Sequence, residues 1–255
     1  MTLPRRVVVT GAGGNLGAKL AGHLAGHTEL ALLDRIAAPG VHQADLSLWN
    51  ESWTRHFAAA EAVVHLAGDP VAYRDWPDLI APNIDAMLNV YAAAAAHGVR
   101  RVVFASSNHV MGGYDDGSAA PITEDLPPKP GLRYIADGAE RFSGAYAATK
   151  LFGERVGRQY ADAHGIEVIA VRIGWVWRGI NAPDNLPAER GDWFRKMWLS
   201  DRDFLHLMSS CLAAELPRKF LIVNGMSANT AMRWDITVAR EVLGYRPKDD
   251  VDSLG

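Results

Sequence analysis

The stretch from Val7 to Asp34 constrains this chain more than any other. Val7-Val8-Val9-Thr10 is a short continuous apolar run, the form of a buried parallel strand. Gly11-Ala12-Gly13-Gly14-Asn15-Leu16-Gly17 follows at once, Ala18 to Ala25 reads as a helix, and Leu30-Ala31-Leu32-Leu33-Asp34 reads as a second buried strand ending in a carboxylate. The glycines, Gly11, Gly14 and Gly17 among them, permit a tight turn and close approach of backbone to a pyrophosphate. That group would sit on the unpaired N–H groups of the helix N-terminus, beside Asn15 and Leu16. The order strand, glycine turn, helix, strand, acid therefore predicts dinucleotide binding. Asp34 would accept hydrogen bonds from the ribose 2′ and 3′ hydroxyls and repel a 2′-phosphate, so NAD is the expected cofactor, with Arg35 read as a solvated loop residue.

The alternation continues. Val41 to Ala44 is a third expected strand, leading to Asp45, which is placed to hold an adenine amino group, and Ser47 is expected to cap a helix running to about Phe57. Ala62 to Gly68 is a fourth strand, and Ala67 and Gly68 at its carboxyl end belong beside the cofactor. His65 within it is expected to be a packed strand residue. One long helix is predicted from Pro77 to His97, closed by Gly98. Arg101 to Ser107 is the fifth strand and ends in two hydroxyls, followed by Asn108-His109. From Met111 to Gly144 the chain has the profile of a long active-site loop. Tyr146 and Lys150 then share one face of a helix that runs to about His164, and Ile166 to Ile173 is the sixth strand. An ammonium near a phenol favours phenolate, which would make Tyr146 a usable base.

After Gly174 comes an aromatic and cationic stretch from Trp175 to Trp198 holding Arg178, Arg190, Arg195 and Lys196. A helix (Ser200 to Ala214), a strand (Phe220 to Asn224) and a helix ending near Leu243-Gly244 follow. The expected organisation is a nucleotide-binding core over 1–174 and a small substrate-binding lobe over 175–255, together forming one compact unit. The 255 residues suffice for that. A net charge of −3 without a basic patch gives no reason to expect nucleic acid or an anionic membrane as partner. The single cysteine, Cys211, excludes an internal disulfide framework, is compatible with the cytoplasm, and lies in an apolar stretch where a buried inert thiol is expected. The N-terminal apolar run stops at Thr10-Gly11, too early for a signal-peptide core, and eighteen consecutive apolar residues occur nowhere, so no membrane span is expected. No Cys or His stands near His65 at zinc spacing, and no metal is expected.

Five motifs occur in one order: Thr10 to Gly17, Val64-His65-Leu66-Ala67-Gly68, Ser106-Ser107, Tyr146 with Lys150, and Val171-Arg172. Through them the chain resembles the extended short-chain dehydrogenase/reductase superfamily of NAD-dependent epimerases and dehydratases. It is most similar there to uronate dehydrogenases, through Phe104 to His109, Val171 to Gly174, Trp198 to Phe204 and Asn224 to Asn229. The resemblance implies an α/β fold, a Rossmann-type doubly wound parallel sheet with a small C-terminal substrate-facing lobe. It implies Ser107, Tyr146 and Lys150 as catalytic residues, with Lys150 also bonding the nicotinamide ribose and depressing the Tyr pKa. It adds Leu46, Leu66, Asn83 and Ile173 to the cofactor shell. Substrate contacts are expected from Ser107, Asn108 and His109, with Trp175 and either Arg195 or Arg190.

Departures from the family pattern bear on the substrate. Trp175 replaces a small hydroxyl residue, Pro70 replaces a serine, and Gly131 to Ala145 is longer than expected. The expected function is hydride transfer from a sugar or uronate-like sugar acid to NAD, in a homodimer or homotetramer built on the two long helices. A sugar phosphate or small polyol is an alternative substrate. Other readings are a nucleotide-sugar epimerase or dehydratase, although Asn108-His109 stand where dehydratases carry an Asp-Glu pair, and a non-enzymatic NAD sensor.

Overall fold

In the computed structural model, which describes residues 2–253, the first half of the chain forms β1 (Arg6–Thr10), α1 (Asn15–Leu24), β2 (Glu29–Asp34), β3 (His42–Gln43), α2 (Glu51–Thr54), β4 (Ala62–His65), α3 (Trp76–Leu79), α4 (Ala86–Ala96) and β5 (Arg101–Ser107). The second half forms β6 (Arg133–Ala136), β7 (Ala139–Phe142), α5 (Gly144–His164), β8 (Glu167–Ile173), α6 (Gly191–Lys196), α7 (Asp201–Ala213), β9 (Phe220–Gly225) and α8 (Thr237–Val242). Seven strands pair in the order β3-β2-β1-β4-β5-β8-β9, every pair parallel. This is the doubly wound sheet expected from the alternation. Its order reverses between β1 and β4, so the cleft lies outside their carboxyl ends.

The strands are apolar on both sides because both faces are covered. Leu20 and Leu24 of α1, Phe204, Leu207 and Met208 of α7 and Ala239 of α8 pack on one face. Trp53 of α2, Met87, Val90 and Tyr91 of α4 and Ala161 of α5 pack on the other. Residues after Gly174 therefore do two things. The elements α7, β9 and α8 complete the main layers, and Phe194, Met197, Trp234 and Ile236 join Val110, Met111, Leu132 and Tyr134 in a separate apolar cluster. Helix α5 comes very close to the sheet, since a Cβ at Gly153 would stand 2.3 Å from the Phe104 ring of β5 and one at Gly157 2.9 Å from Val168 Cγ1 of β8. Interior glycines cost a helix about 0.5–1 kcal/mol each. Here that cost is offset by packing the middle of α5 directly on β5 and β8.

Three elements differ from expectation. The helix expected from Ser47 begins at Glu51, capped by Asn50 Oδ1 accepting from the Ser52 amide at 2.7 Å, because the Ser47 hydroxyl is committed to the Asp45 carboxylate at 2.6 Å. The single helix expected over Pro77 to His97 is divided by a π-helical turn, Ile80–Asp85. Pro82 lacks the N–H that would bond the Asp78 carbonyl and its ring crowds that carbonyl, so the turn widens. Within the expected loop, β6 and β7 form an antiparallel hairpin turned by Asp137 at φ 54° and Gly138 at φ 69°, the left-handed pair that an Asp-Gly hairpin turn uses.

By length and mean hydropathy alone (21 residues, 1.2) Trp76–Ala96 resembles a membrane span. Its Met87, Val90, Tyr91, Ala93 and Ala94 are buried in the core of this fold.

Candidate active site

The glycine turn is shaped by close packing. Gly11, at φ +70°, lies where a Cβ would stand 2.7 Å from the Ala67 amide nitrogen, and a Cβ at Gly17 would meet the Gly11 carbonyl oxygen at 2.0 Å. Leu66, half-buried, packs beneath. Helix α1 follows Gly14 with no side-chain cap on its first turn, which leaves the amides at Asn15 and Leu16 for an anion. Asp34 leans over this turn, accepting from the Gly13 amide at 2.9 Å and the Ile36 amide at 3.0 Å. Tight backbone, uncapped helix and carboxylate together fit NAD. Asp45 sits on the neighbouring loop, turned back on the Ser47 amide and hydroxyl, and Leu46 is buried beside it.

Replacing Asp34 with Ala should weaken NAD binding by about 10- to 100-fold, the worth of hydrogen bonds to a charged group, and narrow the preference over NADP. Calorimetric Kd values for both dinucleotides check this, and an unchanged ratio would remove Asp34 from the ribose site.

At the carboxyl end of β5 the expected catalytic residues converge. Ser107 Oγ accepts from the His109 amide at 3.2 Å, which leaves its proton for the neighbouring Tyr146 hydroxyl, whose phenolate it favours. Lys150 Nζ donates to the Ala105 carbonyl at 3.0 Å and lies 5.7 Å from the centre of the Tyr146 ring. The expected depression of the phenol is not present in the free protein. Burial pushes Tyr146 up to about 12, opposed by the Ser107 hydrogen bond, and burial brings Lys150 down to about 8. Desolvation disfavours both charges and is the largest influence on each.

Asn83, expected in the cofactor shell, is buried against the strand-end loop. Its Oδ1 accepts from the Asp69 amide at 2.6 Å, and its Nδ2 donates to the Asp69 carbonyl at 3.2 Å and the Thr149 hydroxyl at 3.4 Å. The widened turn at Pro82 thus aims Asn83 at the strand-end loop, where a Cβ on Gly68 would stand 3.0 Å from Asn83 Oδ1 and 3.7 Å from Lys150 Nζ. His65 is packed, as expected. Its Nδ1 meets Thr10 Oγ1 at 2.7 Å, and burial lowers its pKa to about 3.

Beyond Ser107 stands an aromatic wall. His109 lies edge-on to Tyr146, with ring centres 5.7 Å apart, and 5.8–5.9 Å from Phe194 and Tyr134. Trp175 closes on Phe194 at 5.2 Å. Asn108 turns inward, its Nδ2 donating to the Ile173 carbonyl at 2.9 Å, which ties β5 to β8; its buried Oδ1 has no partner among the described residues.

Arg195 is placed away from this wall. It binds the Asp252 carboxylate at 3.0 Å and the Val251 carbonyl at 2.9 Å, because the next helical turn carries it toward the C-terminal segment. Arg190 instead lies over the Tyr134 and Phe194 rings, 5.0 and 5.6 Å from their centres. Burial, helped by the charge of Arg190, lowers the His109 pKa to about 4.

Sequence reasoning missed Tyr134, Ser143 and Glu154. The Asp137-Gly138 dipeptide signals the hairpin that carries the first and closes on the second. Glu154, one helical turn beyond Lys150, is fully buried in a two-pronged pair with Arg172, 2.9 Å on each side, and accepts from Ser106 Oγ at 2.7 Å.

The NAD dependent epimerase/dehydratase family model matches residues 7–177. The chain is 35% identical to the NAD-dependent glucose-6-phosphate dehydrogenase of Haloferax volcanii, over 96% of this chain and 93% of that one. It is 34% identical to the L-arabinose 1-dehydrogenase (NAD(P)(+)) of the same organism, over 96% and 97%. Among solved structures, a uronate dehydrogenase mutant from Agrobacterium tumefaciens complexed with NAD superposes with a TM-score of 0.79 at 31% identity, over 98% of this chain and 86% of that one.

Proposed function

Because the chain belongs to the NAD dependent epimerase/dehydratase family, we infer that it is an NAD-dependent oxidoreductase taking a hydride from a sugar or sugar acid. The observation that carries this reading is the convergence of Ser107, Tyr146 and Lys150 at the cleft beside the glycine turn. NAD, when bound, supplies the hydride acceptor and a positively charged ring. Tyr146, as phenolate, takes the proton of the substrate hydroxyl while the carbon-bound hydrogen leaves with its electron pair, so that CH–OH becomes C=O. Ser107 hydrogen-bonds the reacting oxygen and holds it toward Tyr146. Lys150 keeps cationic character near that phenolate and would bond the nicotinamide ribose.

The finer substrate reading rests on Arg190, the cation at the aromatic wall. We propose an anionic sugar, a uronate or a sugar phosphate, held by Arg190 with His109 and the ring of Trp175. A panel of uronates, sugar phosphates and neutral aldoses with NAD, followed by NADH absorbance, tests both levels. The highest kcat/KM is expected on an anionic member. Preference for neutral sugars would remove the role of Arg190, and no NADH from any member would remove the dehydrogenase reading. NAD that stays bound through purification and cycles without net reduction would favour an epimerase instead. We further propose a cytoplasmic homo-oligomer without nucleic-acid or membrane partners, joined through the outer faces of the helical run from Trp76 and of α5, where Trp76, Ile80 and Phe152 are exposed.

A further inference from the structure

Ser143 closes the base of the β6–β7 hairpin immediately before α5, and it is wholly buried. Its amide donates to the Leu132 carbonyl at 3.1 Å. Its Oγ accepts from the Leu132 amide at 2.9 Å and stands 2.7 Å from His109 Nδ1. The hairpin is held to His109 from the other side as well, since the Gly131 amide donates to the His109 carbonyl at 3.0 Å.

A serine hydroxyl has one proton to give and two lone pairs. If His109 Nδ1 carried the proton, Ser143 Oγ would accept from two N–H groups. Its own proton would then be left the Leu132 carbonyl at 3.4 Å, an acceptor already engaged by the Ser143 amide. If Ser143 gives its proton to Nδ1, every bond has ordinary length and no proton is left over. The second arrangement puts the imidazole proton on Nε2. We propose that Ser143 is a positioning residue that fixes His109 as the neutral Nε2–H tautomer, so that the substrate wall offers the sugar a hydrogen-bond donor there.

The ionisable groups facing His109 are Arg190, Tyr146 from α5 and Tyr134 from β6, with Phe194 of α6 adding only apolar surface. The fixed positive charge of Arg190 and the burial of the ring both oppose imidazolium. The tautomer, not the charge, is therefore what Ser143 controls. Nε2 has no hydrogen-bond partner among the described residues and is not among the sealed, unpartnered atoms. It is the ring nitrogen left for an oxygen of the sugar. Without the Ser143 proton, Nδ1 can keep its own, and Nε2 then becomes an acceptor that no longer matches a sugar oxygen needing a donor.

The sugar-contact half of this inference rests on the function proposed above; the tautomer does not. Long-range 1H–15N spectra of the wild-type protein, with His109 identified among the nine histidines by the signal lost in His109→Gln, should show the Nε2–H pattern between about pH 6 and 8. An Nδ1–H pattern overturns the proposal without any variant of Ser143. Ser143→Ala should move His109 toward Nδ1–H and raise the KM of the best sugar by about tenfold, with kcat and the NAD Kd little changed. A Ser143→Ala protein with the wild-type tautomer overturns the positioning role. A moved tautomer with an unmoved KM overturns the sugar contact. Absence of NADH production from every sugar would count against the dehydrogenase function and leave the spectra as they are.

Discussion

Tyr146→Phe is expected to lower kcat by about 10²- to 10⁴-fold, the usual worth of a positioned general base, while leaving the NAD Kd unchanged. Phenylalanine keeps the ring that packs edge-on against His109 and deletes only the hydroxyl beside Ser107. The loss should therefore fall on the chemical step. Steady-state NADH absorbance gives kcat, and calorimetry gives the Kd. Equal losses in both would make Tyr146 a binding or folding residue. The direction of the pH dependence follows from burial. The base works only when deprotonated, and burial holds Tyr146 up at about 12. Wild-type kcat/KM for sugar oxidation should thus rise with pH from neutrality, and Tyr146→Phe should flatten that rise.

The largest stability effect is expected from Glu154→Ala. Glu154 and Arg172 are each almost completely buried and bond through both carboxylate oxygens, and Arg172 Nη1 has no partner among the described residues. Removing the carboxylate strands a cation in the core, at a cost of about 3–5 kcal/mol, which lowers the melting temperature of a chain this size by roughly 10 °C. Thermal unfolding followed by circular dichroism measures it. Because a buried ion pair is often no more stable than a well-packed apolar replacement, the double variant Glu154→Leu with Arg172→Met should recover most of the loss. A single variant that melts with the wild type would show that water reaches Arg172 and that the pair holds little. Ser106, which donates to Glu154, lies next to Ser107, so the single variant should also reduce kcat.

Much of the fold was legible because its signals are local. The apolar runs of β1, β4, β5 and β8 were found nearly to their ends, since strands covered on both faces need continuous apolar sequence. Boundaries failed where one residue competed with another, as at Ser47, whose hydroxyl serves Asp45 instead of a helix, and at Pro82, which forces a wide turn inside an otherwise uninterrupted helical pattern. The hairpin was missed because its strands are four residues each and only Asp137-Gly138 marks them.

The sequence by itself determined the glycine turn that fits NAD and the shared helix face of the two residues proposed to react, Tyr146 and Lys150. Glycine stereochemistry at Gly11 and Gly17, the carboxylate at the end of β2 and the four-residue spacing of Tyr146 and Lys150 are properties of short segments, and folding carries them through unchanged. Only the tertiary structure decided the rest. Arg190 and not Arg195 faces the wall, Asn83 reaches Asp69, and Ser143 meets His109 across 34 positions of chain, all through contacts that no local pattern encodes. The Tyr146 pKa runs opposite to the expected direction for the same reason. A nearby ammonium is visible in the sequence, but the burial that raises Tyr146 and lowers Lys150 depends on everything the fold packs around them.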